Sequence, residues 1–171
     1  MSLVQLIVER GMDALDVLPK GIRESKEAVA ETIENNLRKL IIDEQPVNPK
    51  YYEKMSELLD SLILQRREQA LEYEQYLAEM IALALTVQIP GGGKDYPPTI
   101  NTGAKRALYD NLNKNNDTAL AVDYAVLSSK KDGWRGHKVK EKEVRNAIRR
   151  VLNDEQLTDT IFDLVKNQSD Y

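Results

Sequence analysis

The 171-residue chain has no cysteine and a single histidine, His137. The first absence removes disulfides, Cys-ligated zinc, iron–sulfur clusters and thiol nucleophiles together. The second leaves almost nothing for His-based catalysis, because a zinc pair or a facial triad needs a second ring beside the first. Aromatic residues make up only 6% of the chain, with one Trp and one Phe. Long hydrophobic runs are missing too. The stretch 80–87 is less than half of the roughly 20 apolar residues that span a bilayer. Glu9 and Arg10 interrupt the amino-terminal apolar stretch and no basic region precedes it, so no secretory signal is expected. The chain therefore reads as soluble and cytoplasmic, with no membrane partner. Twenty-four Lys and Arg against twenty-eight Asp and Glu give a net charge of −4, which argues against a general nucleic-acid coat. Any DNA contact has to be local.

What is present is helical periodicity. A hydrophobic content of 42% over this length suffices for one or at most two compact domains. Apolar residues recur at steps of three and four almost throughout, and convincing period-two alternation is absent. A first helix is expected over about 3–15, closed by Pro19, and a second is capped by Ser25 and buries Ile33, Leu37, Leu40 and Ile41. Asn48-Pro49 is a strong start signal, and neither Pro nor Gly returns before Pro90. Over that span Met55, Leu59, Leu62, Arg66, Gln69, Tyr73, Tyr76, Met80, Leu83 and Val87 alternate steps of four and three, the pattern of one long packed helix. Its centre, 65–69, is polar; Arg66, Arg67 and Gln69 are its candidate partner-facing residues.

The stretch IPGGGKDYPP from Ile89 gives the only clear linker, at 90–98, between amino-terminal helices (1–89) and a carboxy-terminal bundle (99–171), unless the whole is one domain. Four shorter helices are expected in that bundle, about 103–112, 118–130, 139–152 and 154–166, with Thr102, Asp117 and Asn153 as caps. Their apolar stripes are Leu108 and Leu112; Leu120, Tyr124 and Leu127; Val144, Ile148 and Val151; and Leu157, Ile161 and Leu164. The expected fold is thus all-α, an irregular helical bundle with one long central helix (49–88) and a group of shorter carboxy-terminal helices.

Gly91-Gly92-Gly93-Lys94 invites comparison with a phosphate loop. A Walker A loop needs Gly five residues before its Gly-Lys pair, Ser or Thr after the Lys, and a preceding strand. Here Gln88 and Asp95 occupy those places, so a flexible linker is expected. The acidic pairs Glu31/Glu34 and Asp43/Glu44 read as surface charge, since none sits beside a His or in nuclease spacing. The informative charge feature is 130–150. It holds nine basic residues (Lys130, Lys131, Arg135, Lys138, Lys140, Lys142, Arg145, Arg149 and Arg150) against three acidic ones, a local +6 that leaves −10 for the rest. Such polarity marks a candidate contact to DNA phosphate or to an acidic partner surface, or else a solvated helix face. Trp134 is expected to plug its turn onto the core, and His137 to cap or border that turn. The residues by themselves indicate a helical interaction domain without legible chemistry, and no catalytic, cofactor or metal site is assigned.

The segments GMDALDVLPKGIRESKEAVAETIENNLRKLIIDEQPVNPKYYEKM (11–55), INTGAKRALYDNL (100–112), TALAVDYAVLSSKKDGWRGHKVKEKEVRNAIRRVL (118–152) and LTDTIFDLVKNQSDY (157–171) together resemble the carboxy-terminal helical region of the restriction subunit, HsdR, of type I restriction–modification enzymes. The run DEQPVNPKYYEKMSELLD (43–60) carries the resemblance most specifically. In that family the subunit is an ATP-dependent DNA translocase and endonuclease whose nuclease and motor domains precede the helical end. This chain has neither a Walker motif nor a nuclease triad, so the resemblance implies a non-catalytic fragment, with ATP and magnesium belonging to the parent alone. It also implies the partners: the modification (methyltransferase) and specificity subunits, with DNA met directly or through that complex. A DNA-backbone-binding helical module using 130–150 is the alternative.

Overall fold

The computed structural model describes residues 2–88 and 96–171, and every regular element among them is helical. The expected linker at 90–98 lies, over 90–95, outside the described residues. The chain divides into two compact units: 1–45 with 52–94, and 46–51 with 95–171.

The first unit opens with helix α1 (Leu3–Arg10), whose end is closed by a reciprocal box in which the Gln5 amide donates to Ser2 Oγ and the Ser2 amide to Gln5 Oε1. The helix expected over 3–15 stops at Arg10. Gly11 adopts φ +59°, ψ −133°, a region open essentially to glycine, and the chain continues as a 3-10 helix, Gly11–Val17. After the single turn α2 (Lys20–Arg23), Ser25 caps α3 (Lys26–Glu44) as expected, and Ile33, Leu37 and Ile41 are buried.

The long helix expected over 49–88 is instead two helices, α4 (Pro49–Arg67) and α5 (Tyr73–Gln88). Neither Pro nor Gly marks the break. Gln69 takes a left-handed φ of +56°, its amide donates to the Arg66 carbonyl, and the Ala70 amide donates to the Gln65 carbonyl. That pair of bonds is a Schellman closure with glutamine in the place usually held by glycine, at a conformational cost of about 1 kcal/mol. The seam itself persists: Met55, Leu59 and Leu62 on α4 and Tyr76, Met80, Leu83 and Val87 on α5 are all buried. The two helices run antiparallel, since the Tyr52 hydroxyl at the start of α4 donates to the Val87 carbonyl near the end of α5.

A buried ion pair explains what offsets the strained turn. Glu34, expected at the surface, is only 5% exposed. Arg66 Nε and Nη2 donate to its two oxygens at 2.8 and 3.3 Å, and the fully buried Tyr76 hydroxyl donates to Oε1 at 2.7 Å. In one continuous helix Arg66 and Tyr76 would stand about 15 Å apart along the axis. Folding α5 back along α4 brings both onto one carboxylate, whose desolvation then meets three donors.

The second unit is a ring of four helices, α6 (Gly103–Asn111), α7 (Asn116–Ser129), α8 (Lys138–Leu152) and α9 (Glu155–Lys166), each packed on the next and α9 on α6. Ala104, Ala107 and Ala119 let the axes approach around Leu108, Val122, Val126, Ile148, Ile161 and Leu164. Thr102 caps α6 as expected; at α7 and α9 the caps are Asn115 and Asp154, one or two positions from the expected Asp117 and Asn153. Asn153 instead closes α8 in the left-handed conformation, which asparagine tolerates. Residues 46–51 join this unit through side chains: Asn48 Nδ2 donates to Asp110 at 2.8 Å, Asn111 Nδ2 to Asn48 Oδ1 at 2.8 Å, and Gln168 Nε2 to the Val47 carbonyl at 2.6 Å.

Two predictions follow from these buried polar groups. Glu34→Ala strands the Arg66 charge and is expected to destabilise the first unit by about 3 kcal/mol in urea unfolding, with Glu34→Gln losing less because an acceptor remains. Burial, reinforced by the carboxylates of Glu34, Asp110 and Asp123, holds the hydroxyls of Tyr76, Tyr96 and Tyr171 well above their ordinary range. The folded chain therefore keeps protons that the unfolded chain loses above pH of about 10, so stability falls as pH rises through that value. Ultraviolet absorption should show these three tyrosines ionising only as the chain unfolds.

Candidate functional site

The residues expected from the sequence to meet a partner fall into two groups, one in each unit. In the first unit Arg66, Arg67 and Gln69 lie together at the corner between α4 and α5 rather than along one helix. They line a pocket of about 390 Å³ with Lys26, Glu27, Leu71 and Tyr73. Arg66 is largely committed to Glu34, and that hydrogen bond, the largest influence on it, raises its pKa further. Its Nη1 stands 4.0 Å from the exposed Glu27. Lys26 Nζ lies 5.0 Å from the centre of the Tyr73 ring.

In the second unit the basic stretch 130–150 is sorted by the helices around it. The turn between α7 and α8 is pinned by Trp134, 3% exposed, against the same core, as its apolar bulk predicts. His137 caps α8, its Nδ1 accepting from the Lys140 amide at 3.3 Å. Arg135 stacks on Trp134, 4.7 Å from the ring centre, and its guanidinium donates to the carbonyls of Lys166, Gln168 and Tyr171. It thus holds the segment after α9, where the Tyr171 hydroxyl donates to buried Asp123 and Asp170 accepts the Ala104 amide at 2.9 Å. This commitment was invisible in the sequence, where Arg135 is one more cation in a basic run.

Along α8, Lys138, Lys142, Arg145 and Arg149 succeed one another at steps of four, three and four and share one side. Arg145 pairs with Glu155 and Asp159, and Arg149 with Glu155, both acceptors coming from α9. Lys131 binds Glu143 at 2.9 Å, and Lys140 Nζ donates to the Asp132 carbonyl at 2.7 Å. Glu141, its carboxyl pulled below the usual range chiefly by a hydrogen bond from Lys166, is held at 2.8 Å. Among the described residues, Lys130, Lys138, Lys142 and Arg150 meet no carboxylate.

Of the stripe Leu120, Tyr124 and Leu127, expected in the core, the half-buried Leu120 packs against it, whereas Tyr124 is 74% and Leu127 50% exposed. The buried face of α7 is Ala119, Val122, Asp123 and Val126. This helix is apolar nearly all round, so two stripes fit its period, and the smaller side chains allow the closer approach to α6 and α8. That double stripe is the sequence signal that distinguishes α7 from its neighbours.

Among the described residues no helix is long and apolar enough to cross a membrane, and no group of three His, Asp or Glu side chains is gathered to hold a metal. Comparison with family models, curated proteins and solved structures finds no match to this chain.

Arg135→Ala is expected to cost about 2 kcal/mol of stability, since a charged donor to three carbonyls is lost. Amide exchange through 167–171 should rise with it. Arg135→Lys should not restore protection, because one ammonium cannot span the three acceptors of a planar fork.

Proposed function

We propose that this chain is a non-catalytic assembly module, equivalent to the carboxy-terminal helical region of a type I restriction subunit, that docks such a subunit onto its methyltransferase–specificity core. The parent activity, ATP-driven translocation and cleavage of DNA, belongs in this reading to domains outside the chain. The collinear blocks 11–55, 100–112, 118–152 and 157–171 support the family. The observation that carries the docking role is the division of charge on α8. Arg145 and Arg149 are committed to α9, while Lys138, Lys142 and Arg150 project from a rigid helix with no carboxylate to meet among the described residues. Fixed, unneutralised cations on a preorganised surface favour encounter with an acidic partner surface.

The same three cations favour a second reading, in which α8 lies along DNA and clamps its backbone. The two separate in one titration of the chain against the purified methyltransferase–specificity core, with and without DNA and at two salt concentrations. Saturable binding without DNA is the expected result. Combined Lys138→Gln, Lys142→Gln and Arg150→Gln should weaken it by about tenfold at low salt and flatten its salt dependence. The pair Arg145→Gln and Arg149→Gln should lower thermal stability more than affinity. Binding that requires DNA and collapses with salt would replace docking by the DNA-clamp reading.

A further inference from the structure

We propose that the furrow between α4 and α5 seats a basic amphipathic helix of a partner protein, its apolar side on Leu58, Leu62, Ala82 and Leu83 and its cations toward Glu57, Glu68 and Glu79. The site lies wholly in the first unit and goes beyond the assembly reading, which rests on α8.

The apolar half of the argument is the furrow itself. Its walls are positions 58, 61, 62 and 65 of α4 and 79, 82, 83 and 86 of α5, and they line a volume of about 370 Å³. On each helix these positions follow as i, i+3, i+4 and i+7, the spacing of one continuous face. Two such faces side by side leave the channel that a third helix fills, ridge into groove. Leu62 and Leu83 are buried in its floor, while Leu58 at its edge is exposed. Leu64 and Leu85, three residues on from Ser61 and Ala82, are exposed as well and extend the apolar surface along both walls. Leucines left in water around one furrow are the mark of an interaction surface. The furrow is also preformed, because Arg66 and Tyr76 are both fixed on Glu34 and hold α5 against α4.

The electrostatic half is the charge along the same walls. Glu79 stands in the wall itself, one turn before Leu83. Glu57 and Glu68 lie four residues before and seven after Ser61, on the strip of α4 that borders the furrow. Glu68 follows the last residue of α4, but its amide still donates to the Leu64 carbonyl, so it continues that strip. All three glutamates are exposed, and among the described residues none of them meets a cation. Lys54 is the one basic residue of the strip, and α5 has none at all. Of the other charges on α4, Asp60 is held by Arg38 and Arg66 by Glu34, while Arg67, nine residues from Leu58, lies on the opposite side of the helix. Three carboxylates against one ammonium beside an apolar channel suit a partner that brings cations and leucine-like side chains together. A second copy of this chain would set the same carboxylates against one another across a two-fold interface, and a DNA backbone would be repelled.

The test is an amide NMR titration of the whole chain with a synthetic basic helix, Leu at alternating steps of three and four with Lys between. A peptide of the same pattern with Glu for Lys is the control. Saturable shifts centred on 54–68 and 75–88 are expected with the basic peptide alone. Leu58→Ser with Ala82→Arg should weaken that binding by about tenfold or more at any salt, because an apolar anchor is lost and the channel is filled. Glu57→Lys with Glu79→Lys should weaken it by about fivefold at low salt and less at high salt. Ala82→Arg is also measured alone, since arginine at an exposed helical position keeps the helix, and circular dichroism checks the fold of each variant. Absence of shifts along the furrow, equal binding of the Glu peptide, or basic-peptide binding that ignores Ala82→Arg would each overturn the proposal. Broadening of the same residues that grows with protein concentration alone would make the occupant a second copy and overturn it too.

Discussion

A carboxylate withdrawn from water has to be met by donors, and in this protein those donors come from distant parts of the chain. Glu34 on α3 is met by Arg66 on α4 and Tyr76 on α5. Asp123 on α7 receives Tyr171, and the half-buried Asp110 on α6 receives Tyr96 and Asn48. Each of these contacts joins segments that hydrophobic burial alone would bring near without specifying register. An unmet carboxylate in such surroundings costs several kcal/mol, so the arrangement that supplies all of its donors is selected against close alternatives. The strained turn at Gln69 is one consequence: a left-handed glutamine is tolerated because it lets Arg66 and Tyr76 converge on Glu34.

The same accounting distinguishes structural charge from charge left for partners. A run of nine basic residues is uniform in sequence, yet its members have different neighbours once the helices pack. Arg135 holds the carbonyls that follow α9, Arg145 and Arg149 cross to α9, and Lys131 crosses to Glu143. What remains is a smaller set, chiefly on the solvent side of α8, and this set carries the functional proposal. Net charge of a segment is therefore a poor guide to its partners until the internal pairs are taken out.

Much of the local structure was legible because its causes are local. Ser25, Asn48-Pro49 and Thr102 begin helices where their side chains reach a free amide, and Trp134 turns inward because no other position near its turn can bury so large a ring. Apolar periodicity located the seams on α4, α5, α8 and α9. Where a helix is apolar on more than one side, as α7 is, periodicity offers two stripes. The choice fell to Ala119, Val122 and Val126, whose small size suits close packing; Leu120 packs at their edge, and Tyr124 and Leu127 were left facing water. Similarly, seam spacing runs unbroken through 49–88 while the backbone does not, because periodicity records which side of a helix is apolar and not whether the helix is continuous.

The amino-acid sequence by itself determined the all-α class, most helix starts, the inward Trp134 and the concentration of positive charge near the carboxy-terminal end, all consequences of interactions within a few residues. Only the tertiary structure decided that α4 and α5 are separate, that Glu34 is buried, that Arg135 is a clamp, and which cations and apolar side chains face outward. Those outcomes depend on donors and acceptors tens of residues apart, and no local pattern encodes which of them will meet.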